Sequence, residues 1–315
     1  MGDLQSSLRL RGVRRWWPKW IYRSDHVENA ARILNSGVLL SRARAEHQGC
    51  IAKDSGSQRH IAEMTQRQRD YVRLYFRPRT PTQFANEGIR PSRMVRYGAH
   101  MPVPVYFLFS VRLLAERGVT FTRGRLTSLA EVGRTAAFLR SIKFADVYHD
   151  SGVGSRREIL NARNAEVLVA NELPLDYLRL VVCRSEAELE TLLSLLDGST
   201  RASWIGKIVV DEGPWRLFNR RATYVKDVRL ESESSRFAFY GDREKQWRGP
   251  FDLHIEWTAR EWRAVYADDD FVATADPLEI SLPMIRNDYV VRVTLNGDLC
   301  YLGSFYQTSG LDLPF

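Results

Sequence analysis

Residues 70 to 81 read Asp70-Tyr-Val-Arg-Leu-Tyr-Phe-Arg-Pro-Arg-Thr-Pro81. Apolar and polar side chains alternate from Tyr71 to Phe76, which is the period of a β-strand with one buried face. Pro78 and Pro81 then end the pattern, because proline lacks the amide hydrogen that the interior of a sheet requires. The stretch therefore predicts a core strand that ends in a rigid turn bounded by two prolines.

A second strand is predicted within residues 155–173, where Glu166 comes directly before the apolar run 167–169. An ionised carboxylate that leaves water without a partner is strongly destabilised or takes up a proton. Two interpretations of Glu166 stay open at this point. It is either a structural acid at the strand edge, paired with Arg163 or Arg157, or a functional carboxylate.

Charge is unevenly distributed along the chain. Residues 221–315 hold 11 Lys+Arg and 16 Asp+Glu, a net charge of −5, which leaves 35 and 22, a net charge of +13, for residues 1–220. A basic domain favours polyanions such as nucleic acid through phosphate contacts and counterion release, although surplus arginine also occurs on solvated faces. A hydrophobic fraction of 44% is ample for a packed core and argues against disorder.

Cysteine spacing and hydropathy predict the compartment. Cys50, Cys183 and Cys300 lie far apart and form no CxxC pair, so neither a zinc cluster nor a disulfide framework is predicted, and we expect no metal. No stretch approaches the roughly 18 consecutive apolar residues of a membrane helix, and the N-terminal arginines precede no apolar signal region. We expect a cytoplasmic protein with no membrane partner.

Residues 1–220 are predicted to form one α+β domain behind a basic, tryptophan-rich leader at 1–20. Besides the two strands above, apolar runs predict strands at 21–22, 103–109, 176–183 and 208–210. Residues 41–69 have no clear period, which predicts a long loop with one helical turn at 60–64. Long ordered loops are often functional, so this loop is a candidate source of site residues.

Two amphipathic helices are predicted in the same domain. Asp25 is expected to cap the first, which ends at Gly37, and Ser185 to cap the second, which ends at Gly198. In both, a glutamate three residues after the cap completes a capping box.

Residues 221–315 are predicted to form a smaller all-β module, either a sandwich or a small barrel. Apolar residues alternate over 251–257 and 289–295, and the second run leads into the hairpin turn Asn296-Gly297. We expect this acidic module to dock a partner or to cover the basic domain, although an acidic surface also serves simple solubility.

Four segments of the chain resemble the DarT-type ADP-ribosyltransferases, toxins that use NAD+ to modify nucleobases. The segments are Ile21-Tyr-Arg-Ser-Asp-His-Val-Glu-Asn29, Ile33-Leu-Asn-Ser-Gly-Val-Leu39, residues 70–81 and Ala165-Glu-Val-Leu-Val169. The resemblance covers roughly residues 20–218, and Tyr-Phe-x-Pro-Arg-Thr-Pro within 70–81 is its most specific part. It implies an ADP-ribosyltransferase-like split β-sheet core with helices, outside which the all-β module lies.

The resemblance also implies an NAD+ site. His26 and Asn29 match NAD-binding positions, and they lie one helical turn apart, so both side chains are able to face one ligand. The alternative for His26 is a histidine satisfied locally at a helix N-terminus. Arg23 replaces a histidine that is common in the family, and related transferases use arginine there. We therefore expect Arg23, His26 and Asn29 to bind NAD+.

The chemistry explains the need for a carboxylate. Transfer of ADP-ribose breaks the bond to nicotinamide through an oxocarbenium-like transition state, as in glycoside hydrolysis. Glu166 beside the ribose would stabilise this positive charge and would be placed to take a proton from the acceptor. The resemblance also implies a catalytic arginine in the long loop, where a planar guanidinium would bind the pyrophosphate or the acceptor. We assign it to Arg67, with Arg69 and Arg59 as alternatives.

Further aromatic and basic residues are candidates for binding. We expect Tyr75 to stack on nicotinamide, although one of Tyr75 and Phe76 should belong to the core. Arg79, held rigidly between two prolines, is expected to contact NAD+ or the acceptor, or else to pair with a buried carboxylate. Arg123 and Arg125 are predicted to contact nucleic acid. The leader tryptophans either stack on bases or fasten the leader to the domain.

Together these features predict an NAD+-dependent ADP-ribosyltransferase acting on a nucleobase of single-stranded DNA or RNA, where no unstacking is needed. By the resemblance it would be a toxin of a toxin-antitoxin or anti-phage system, controlled by an antitoxin partner. Three alternatives stay open: an acceptor that is RNA alone or protein, an NAD glycohydrolase, and a non-enzymatic nucleic-acid-binding protein in which Glu166 is structural.

Overall fold

The computed structural model describes residues 10–95, 98–127, 129–211, 215–241, 247–283 and 288–306. The strands are β1 Trp20–His26, β2 Val38–Leu40, β3 Tyr71–Tyr75, β4 Pro104–Ser110, β5 Thr120–Phe121, β6 Glu166–Ala170, β7 Glu172–Pro174, β8 Leu178–Cys183, β9 Ile208–Val210, β10 Tyr224–Leu230, β11 Ser234–Tyr240, β12 Phe251–Ala259, β13 Arg263–Phe271, β14 Leu278–Ser281, β15 Tyr289–Leu295 and β16 Asp298–Phe305.

The α-helices are short apart from two of about three turns. They are α1 Val27–Ser36, α2 Arg42–His47, α3 Gln58–Ala62, α4 Gln66–Arg69, α5 Pro81–Asn86, α6 Ala136–Arg140, α7 Phe144–Val147, α8 Arg157–Ala162, α9 Glu186–Ser194 and α10 Gly198–Trp204. Stretches of 3-10 helix occupy Gly12–Lys19, Ser92–Met94, Val111–Ala115, Leu175–Tyr177 and Ile205–Lys207. Within the described residues, no helix combines the length and apolar character needed to cross a membrane.

A seven-stranded sheet in the order β5-β6-β3-β1-β4-β8-β9 forms the centre of the first domain. Its strands pair antiparallel except for β8 and β9, which are parallel. Strand β4 lies in the middle of the core, and six of its seven residues are buried. The alternation read from the sequence at 70–81 is confirmed, because Val72, Leu74 and Phe76 all point into the apolar core.

The sheet is split between β1 and β3. These strands pair in register at Tyr22 and Tyr75, whereas β1 pairs with β4 along its whole length. Beyond Tyr22, the side chain of Arg23 donates to the main-chain oxygen of Arg73 at 3.2 Å, in place of a backbone ladder. The split therefore opens a cleft between the two strands, as the resemblance to ADP-ribosyltransferases implied.

The ends of the first helix differ partly from the prediction. The cap of α1 is His26, whose Nδ1 accepts a hydrogen bond from the amide of Glu28 at 3.4 Å. Asp25, the predicted cap, belongs to β1 and binds Arg23 and Asn29 instead. The predicted end is confirmed, because Gly37 adopts φ 73°, a left-handed conformation that glycine reaches without strain.

Two other helix predictions were wrong in detail. Residues 41–69 contain the three short helices α2, α3 and α4 rather than a loop with one helical turn, and each is capped by Ser41, Ser57 or Thr65. Helix α9 has the predicted cap at Ser185 but ends at Ser194. Gly198 begins α10 instead of ending α9. Single turns closed by polar caps carry too few residues to show a helical period in sequence.

The predicted all-β module in the C-terminal region is confirmed. Its described residues form a sheet in the order β10-β11-β14 and another in the order β13-β12-β15-β16. Trp257 and Phe237 pack edge to face between the two sheets, and Trp257 also donates to Ser235 Oγ at 3.0 Å. The hairpin turn at Asn296-Gly297 joins β15 to β16 as predicted, with positive φ angles at both residues. The boundary at residue 220 stays a prediction.

Candidate active site

A cleft of about 640 Å³ lies where the central sheet splits. One wall consists of β1 and α1, the opposite wall of β3 and the start of β6, and the segment 50–57 closes one side. The charged and polar side chains that face it include Arg23, Asn29, Lys53 and Glu166. Two further carboxylates, Asp25 and Asp54, also line this partly enclosed site, together with several arginines.

Glu166 is bound by Arg73 through two parallel hydrogen bonds. Arg73 Nε donates to Oε2 at 2.6 Å and Nη2 donates to Oε1 at 2.7 Å. The register explains the contact, because Tyr75 lies opposite Glu166 and Arg73 is therefore its diagonal neighbour on the same face. The Glu166 side chain is fully buried and that of Arg73 is 16% exposed. Such a bidentate pair fixes both position and orientation of the carboxylate.

Further hydrogen bonds hold both the side chain and the main chain of Glu166. The amide of Leu126 donates to Oε1 at 3.0 Å, so this oxygen accepts from two donors. Thr122 makes two further bonds to the main chain of Glu166, one through its amide at 3.0 Å and one through Oγ1 at 3.1 Å. These hydrogen bonds therefore hold the Glu166 carboxylate in one fixed position.

The opposite charges of Arg73 and Glu166 attract each other within the buried pair. Burial acts to lower the pKa of Arg73, but the charge and hydrogen bonds of Glu166 outweigh it, so that the pKa of Arg73 is raised. The proposed structural partners of Glu166 are engaged elsewhere or exposed. Arg163 donates to His149 Nδ1 at 2.7 Å and to the oxygen of Ser151, and Arg157 lies on an exposed helix position. Glu166 therefore does not pair with Arg163 or Arg157, the partners in the structural interpretation that the sequence left open.

Arg23 and Asn29 belong to one polar network along the cleft wall. Arg23 pairs with Asp25 Oδ2 at 2.6 Å, and Asn29 Nδ2 donates to Asp25 Oδ1 at 3.1 Å. Asn29 also binds the main chain of the segment 51–54, donating to the oxygen of Lys53 and accepting from the amide of Ala52. Both residues line the cleft, and Asn29 in addition holds one of its walls.

His26 lies outside the cleft lining, with a side chain that is almost fully buried. Its Nε2 has no hydrogen-bond partner among the described residues. Burial lowers the pKa of His26 to about 4, and the nearby charge of Lys53 adds to that effect. Only Nδ1 is bonded at the helix N-terminus, as in the alternative of a locally bonded histidine, and the lowered pKa makes the ring neutral at neutral pH.

Of the two adjacent aromatics, Tyr75 faces the cleft and Phe76 belongs to the core. Phe76 packs edge to face on Phe144, with the ring centres 5.3 Å apart. Burial and the neighbouring Glu166 carboxylate raise the pKa of Tyr75, so its hydroxyl is neutral. An uncharged aromatic therefore stands directly beside the carboxylate.

The loop and turn arginines are not brought to Glu166. Arg67 is exposed on α4 and does not line the cleft. Arg69 and Arg59, the alternatives, pair with Glu46 and Glu63. The side chain of Arg79 approaches Asp150 and Asn219, also away from the cleft lining.

The two arginines predicted to contact nucleic acid differ in position. Arg125 lines the cleft, and its amide donates to Asn161 Oδ1 at 3.2 Å. Arg123 points away, binds Ser141 Oγ and Glu131, and lies over the ring of Phe138.

The leader is fastened to the domain by one of its tryptophans. Trp17 is buried, lies under the guanidinium of Arg77 at 4.8 Å and donates to the main-chain oxygen of Trp215. Trp16 remains 40% exposed, with the Lys19 ammonium 3.9 Å from its ring centre. The fastening role is thus observed for Trp17.

Sequence reasoning missed Arg73 and Lys53. The alternation of 70–81 did place Arg73 on the same face as Tyr75, and this was the available signal. Nothing local in the sequence marked Lys53, which the fold brings into the cleft wall. Over the described parts of the chain, no cluster of three or more His, Cys, Asp or Glu side chains is arranged to hold a metal ion.

A family model described as "ssDNA thymidine ADP-ribosyltransferase, DarT" matches residues 22–211, more than half of the chain. The chain belongs to the DarT family. No curated protein matches it.

Solved structures of DarT and DarTG proteins are similar to parts of this chain. Thermus sp. 2.9 DarT in complex with NAD+ has 19% identity and a TM-score of 0.47, and the match covers 63% of this chain and 98% of that chain. The same protein in complex with ADP-ribosylated ssDNA has 20% identity and a TM-score of 0.48, with coverage of 63% and 96%. Thermosipho africanus DarTG in complex with ADP-ribose has 18% identity, a TM-score of 0.45 and coverage of 71% and 56%.

Membership of the DarT family confirms the predicted fold class and the predicted enzyme class, an NAD+-dependent ADP-ribosyltransferase. NAD+ is accordingly a substrate rather than a resident cofactor. The DarT match ends at residue 211, so the all-β module lies outside it, as the sequence indicated.

Proposed function

We propose that this chain transfers ADP-ribose from NAD+ to thymidine in single-stranded DNA. The observation that carries the proposal is Glu166, which lies at the base of the cleft within the segment that matches the DarT family. The family description favours DNA over RNA and thymidine over the other nucleosides.

Glu166 has the central role in this proposal. As nicotinamide leaves with the electron pair of its glycosidic bond, positive charge develops on the ribose, and a fixed carboxylate in a low-dielectric cleft stabilises that charge. N3 is the ring nitrogen of thymidine that carries a hydrogen, so the new bond forms from ribose C1′ to N3 while N3 loses its proton. Glu166 is placed to accept that proton.

Other cleft residues take supporting roles. Arg73 fixes the orientation of Glu166 through its two hydrogen bonds to the carboxylate. Tyr75 stacks on the nicotinamide ring beside the carboxylate. Arg23, Asn29 and the main chain that Asn29 holds form the wall against which the dinucleotide lies.

Contact with the acceptor strand is proposed for Arg125, which combines exposure with a position in the cleft lining. A guanidinium there is suited to a phosphodiester of the bound strand. His26 acts indirectly, by capping the helix that carries Asn29.

Membership of the DarT family also supports a biological role. We propose that the chain is a toxin held in check by an antitoxin, since one of the similar structures is a DarTG protein. Its site of action would be the cytoplasm, where NAD+ and single-stranded DNA are both present. An anti-phage function is part of the same proposal.

The test uses the full chain with labelled NAD+ and three oligonucleotides: a DNA strand containing one thymidine, the same strand with cytidine at that position, and the RNA counterpart. Label on the first strand alone is expected, and it should disappear in Glu166→Ala. Label on none of the three, or undiminished label with Glu166→Ala, would overturn the proposal. Release of nicotinamide without labelled DNA would identify an NAD glycohydrolase instead.

A further inference from the structure

A hairpin of the all-β module reaches the wall of the cleft. Its turn, Asn296-Gly297, is followed by Asp298 at the start of β16. Asp298 forms an ion pair with Lys53, which lines the cleft, and accepts from His100 Nδ1 at 2.9 Å. The Asp298 side chain is only 12% exposed, so the contact is shielded from solvent and less screened than a surface ion pair.

The turn itself is fastened on both sides. Asn296 Oδ1 accepts from the amide of Asp252 at 3.0 Å inside the module, while Asn296 Nδ2 donates to the main-chain oxygen of Arg90 in the first domain at 3.3 Å. Further along the hairpin, Tyr301 donates to Glu190 on α9 at 2.6 Å. These bonds fix the position from which Asp298 meets Lys53.

Lys53 is also bonded to the polar network along the cleft wall. Its main-chain oxygen accepts from Asn29 at 2.6 Å, and Asn29 donates to Asp25 at 3.1 Å. Asp25 binds Arg23 at 2.6 Å, and Arg23 donates to the main-chain oxygen of Arg73 at 3.2 Å. Arg73 binds Glu166. Hydrogen bonds and ion pairs therefore run without interruption from the hairpin of the module to the carboxylate of the cleft.

We propose that Asp298 is a positioning residue for the NAD+ site, and that the all-β module is a working part of the enzyme rather than a separable accessory. Asp298 acts through Lys53 to hold the segment 51–54 against Asn29, so that the cleft wall is formed before NAD+ arrives. Without that anchor, NAD+ has to order the segment on binding and loses affinity by the free energy that ordering takes. The inference rests on the proposed function for its catalytic readout, while its binding readout is independent of the acceptor.

The main variant is Asp298→Asn in the full chain, which keeps the volume and removes the charge. Asp269→Asn, an exposed acid on strand β13, serves as the matched control. Asp298→Asn is expected to raise KM for NAD+ about tenfold, within the range of coupling between contacting charged residues, while kcat falls less. Asp298→Glu, which keeps the charge, should stay closer to the parent protein. The control should leave both constants unchanged.

A double-mutant cycle tests whether Asp298 acts on the NAD+ site through Lys53. If Asp298 acts through Lys53, Asp298→Asn should add little to KM once Lys53→Met is present. Hydrogen exchange of segment 51–56 in the NAD+-free protein should become faster in Asp298→Asn and stay unchanged in Asp269→Asn. An additive cycle, an unchanged KM in folded Asp298→Asn, or unchanged exchange would overturn the inference.

The failure of the inference is distinguishable from that of the proposed function. Calorimetric titration with NAD+ measures affinity without any acceptor, so the loss of affinity in Asp298→Asn is tested even if thymidine takes no label. Conversely, labelled thymidine in the parent protein with unchanged NAD+ affinity in Asp298→Asn would leave the proposed function intact and remove the role of the hairpin.

Discussion

Arg73 Nε and Nη2 bind the two carboxylate oxygens of Glu166 at 2.6 and 2.7 Å across the paired strands β3 and β6. The acid that performs the proposed chemistry is therefore oriented by a residue of the strand that defines the fold. A one-residue change of register would turn Arg73 to the opposite face of the sheet and separate the pair.

Glu166→Gln is expected to lower kcat for ADP-ribose transfer by about 100-fold to 1,000-fold, a magnitude typical for loss of one preorganised electrostatic group. The amide has nearly the same size but cannot carry the negative charge that stabilises the ribose cation. Glu158→Gln, an exposed glutamate on α8, is the matched control. Initial rates of labelling of a thymidine-containing strand make the measurement, and equal rates in both variants would contradict the role of Glu166.

Arg73→Met should destabilise the protein by roughly 3 kcal/mol, since it leaves a buried carboxylate without its cation, and should also lower the transfer rate. Arg67→Met is expected to change the free energy of unfolding by less than about 0.5 kcal/mol, because Arg67 is exposed. Urea unfolding and transfer rates of the two variants give the comparison. Loss of transfer in folded Arg67→Met, with activity retained in Arg73→Met, would show that the essential arginine is Arg67 in the long loop.

Tyr75→Ala is expected to raise KM for NAD+ roughly threefold to tenfold, the range that corresponds to a lost aromatic contact. Tyr75→Phe keeps the ring and should remain near the parent value, because stacking does not need the hydroxyl. Steady-state kinetics with NAD+ as the varied substrate provide the measurement. If both substitutions raise KM equally, the hydroxyl rather than the ring makes the contact.

Arg125→Gln should weaken binding of single-stranded DNA and lower the slope of log Kd against log salt concentration by about one, as expected for one lost phosphate contact. Arg123→Gln is the control, since Arg123 already pairs with Glu131 and does not line the cleft. Fluorescence anisotropy with a labelled thymidine-rich strand at several salt concentrations tests both. A larger effect at Arg123 would place the strand on the other side of the loop.

Stability is expected to fall on acidification through His26. Its pKa is about 4 in the folded protein and 6.5 when unperturbed, so between these values the unfolded chain takes up a proton that the folded protein does not. The stabilisation is complete above pH 6.5 and decreases by about 3 kcal/mol as the pH falls to 4, at about 1.4 kcal/mol for each pKa unit. His26→Asn keeps a capping acceptor and should flatten this dependence. Urea unfolding of both proteins from pH 7.5 to 4.5 measures the difference, and parallel curves would disprove it.

Much of the fold was determined by local sequence. The alternation at 70–81 and the apolar runs at 103–109 and 176–183 predicted strands of the central sheet, and Asn296-Gly297 predicted a hairpin turn. The charge beside an apolar run singled out Glu166, whereas its catalytic role was implied by the resemblance. Such signals survive in sequence because period, capping and turn chemistry depend on residues only a few positions apart.

Only the tertiary structure determined which side chains contact one another in the site. Arg73 and Glu166 are 93 positions apart, and Lys53 and Asp298 are 245 apart, so pattern along the chain carries no information about either contact. Arg67 and His26 were placed in the site by resemblance, and Arg79 by its rigid position between two prolines. The geometry directs Arg79 towards Asp150, leaves Arg67 exposed and places His26 at a helix cap. Strand order and register fix which side chains meet, and these depend on how the whole chain packs its core.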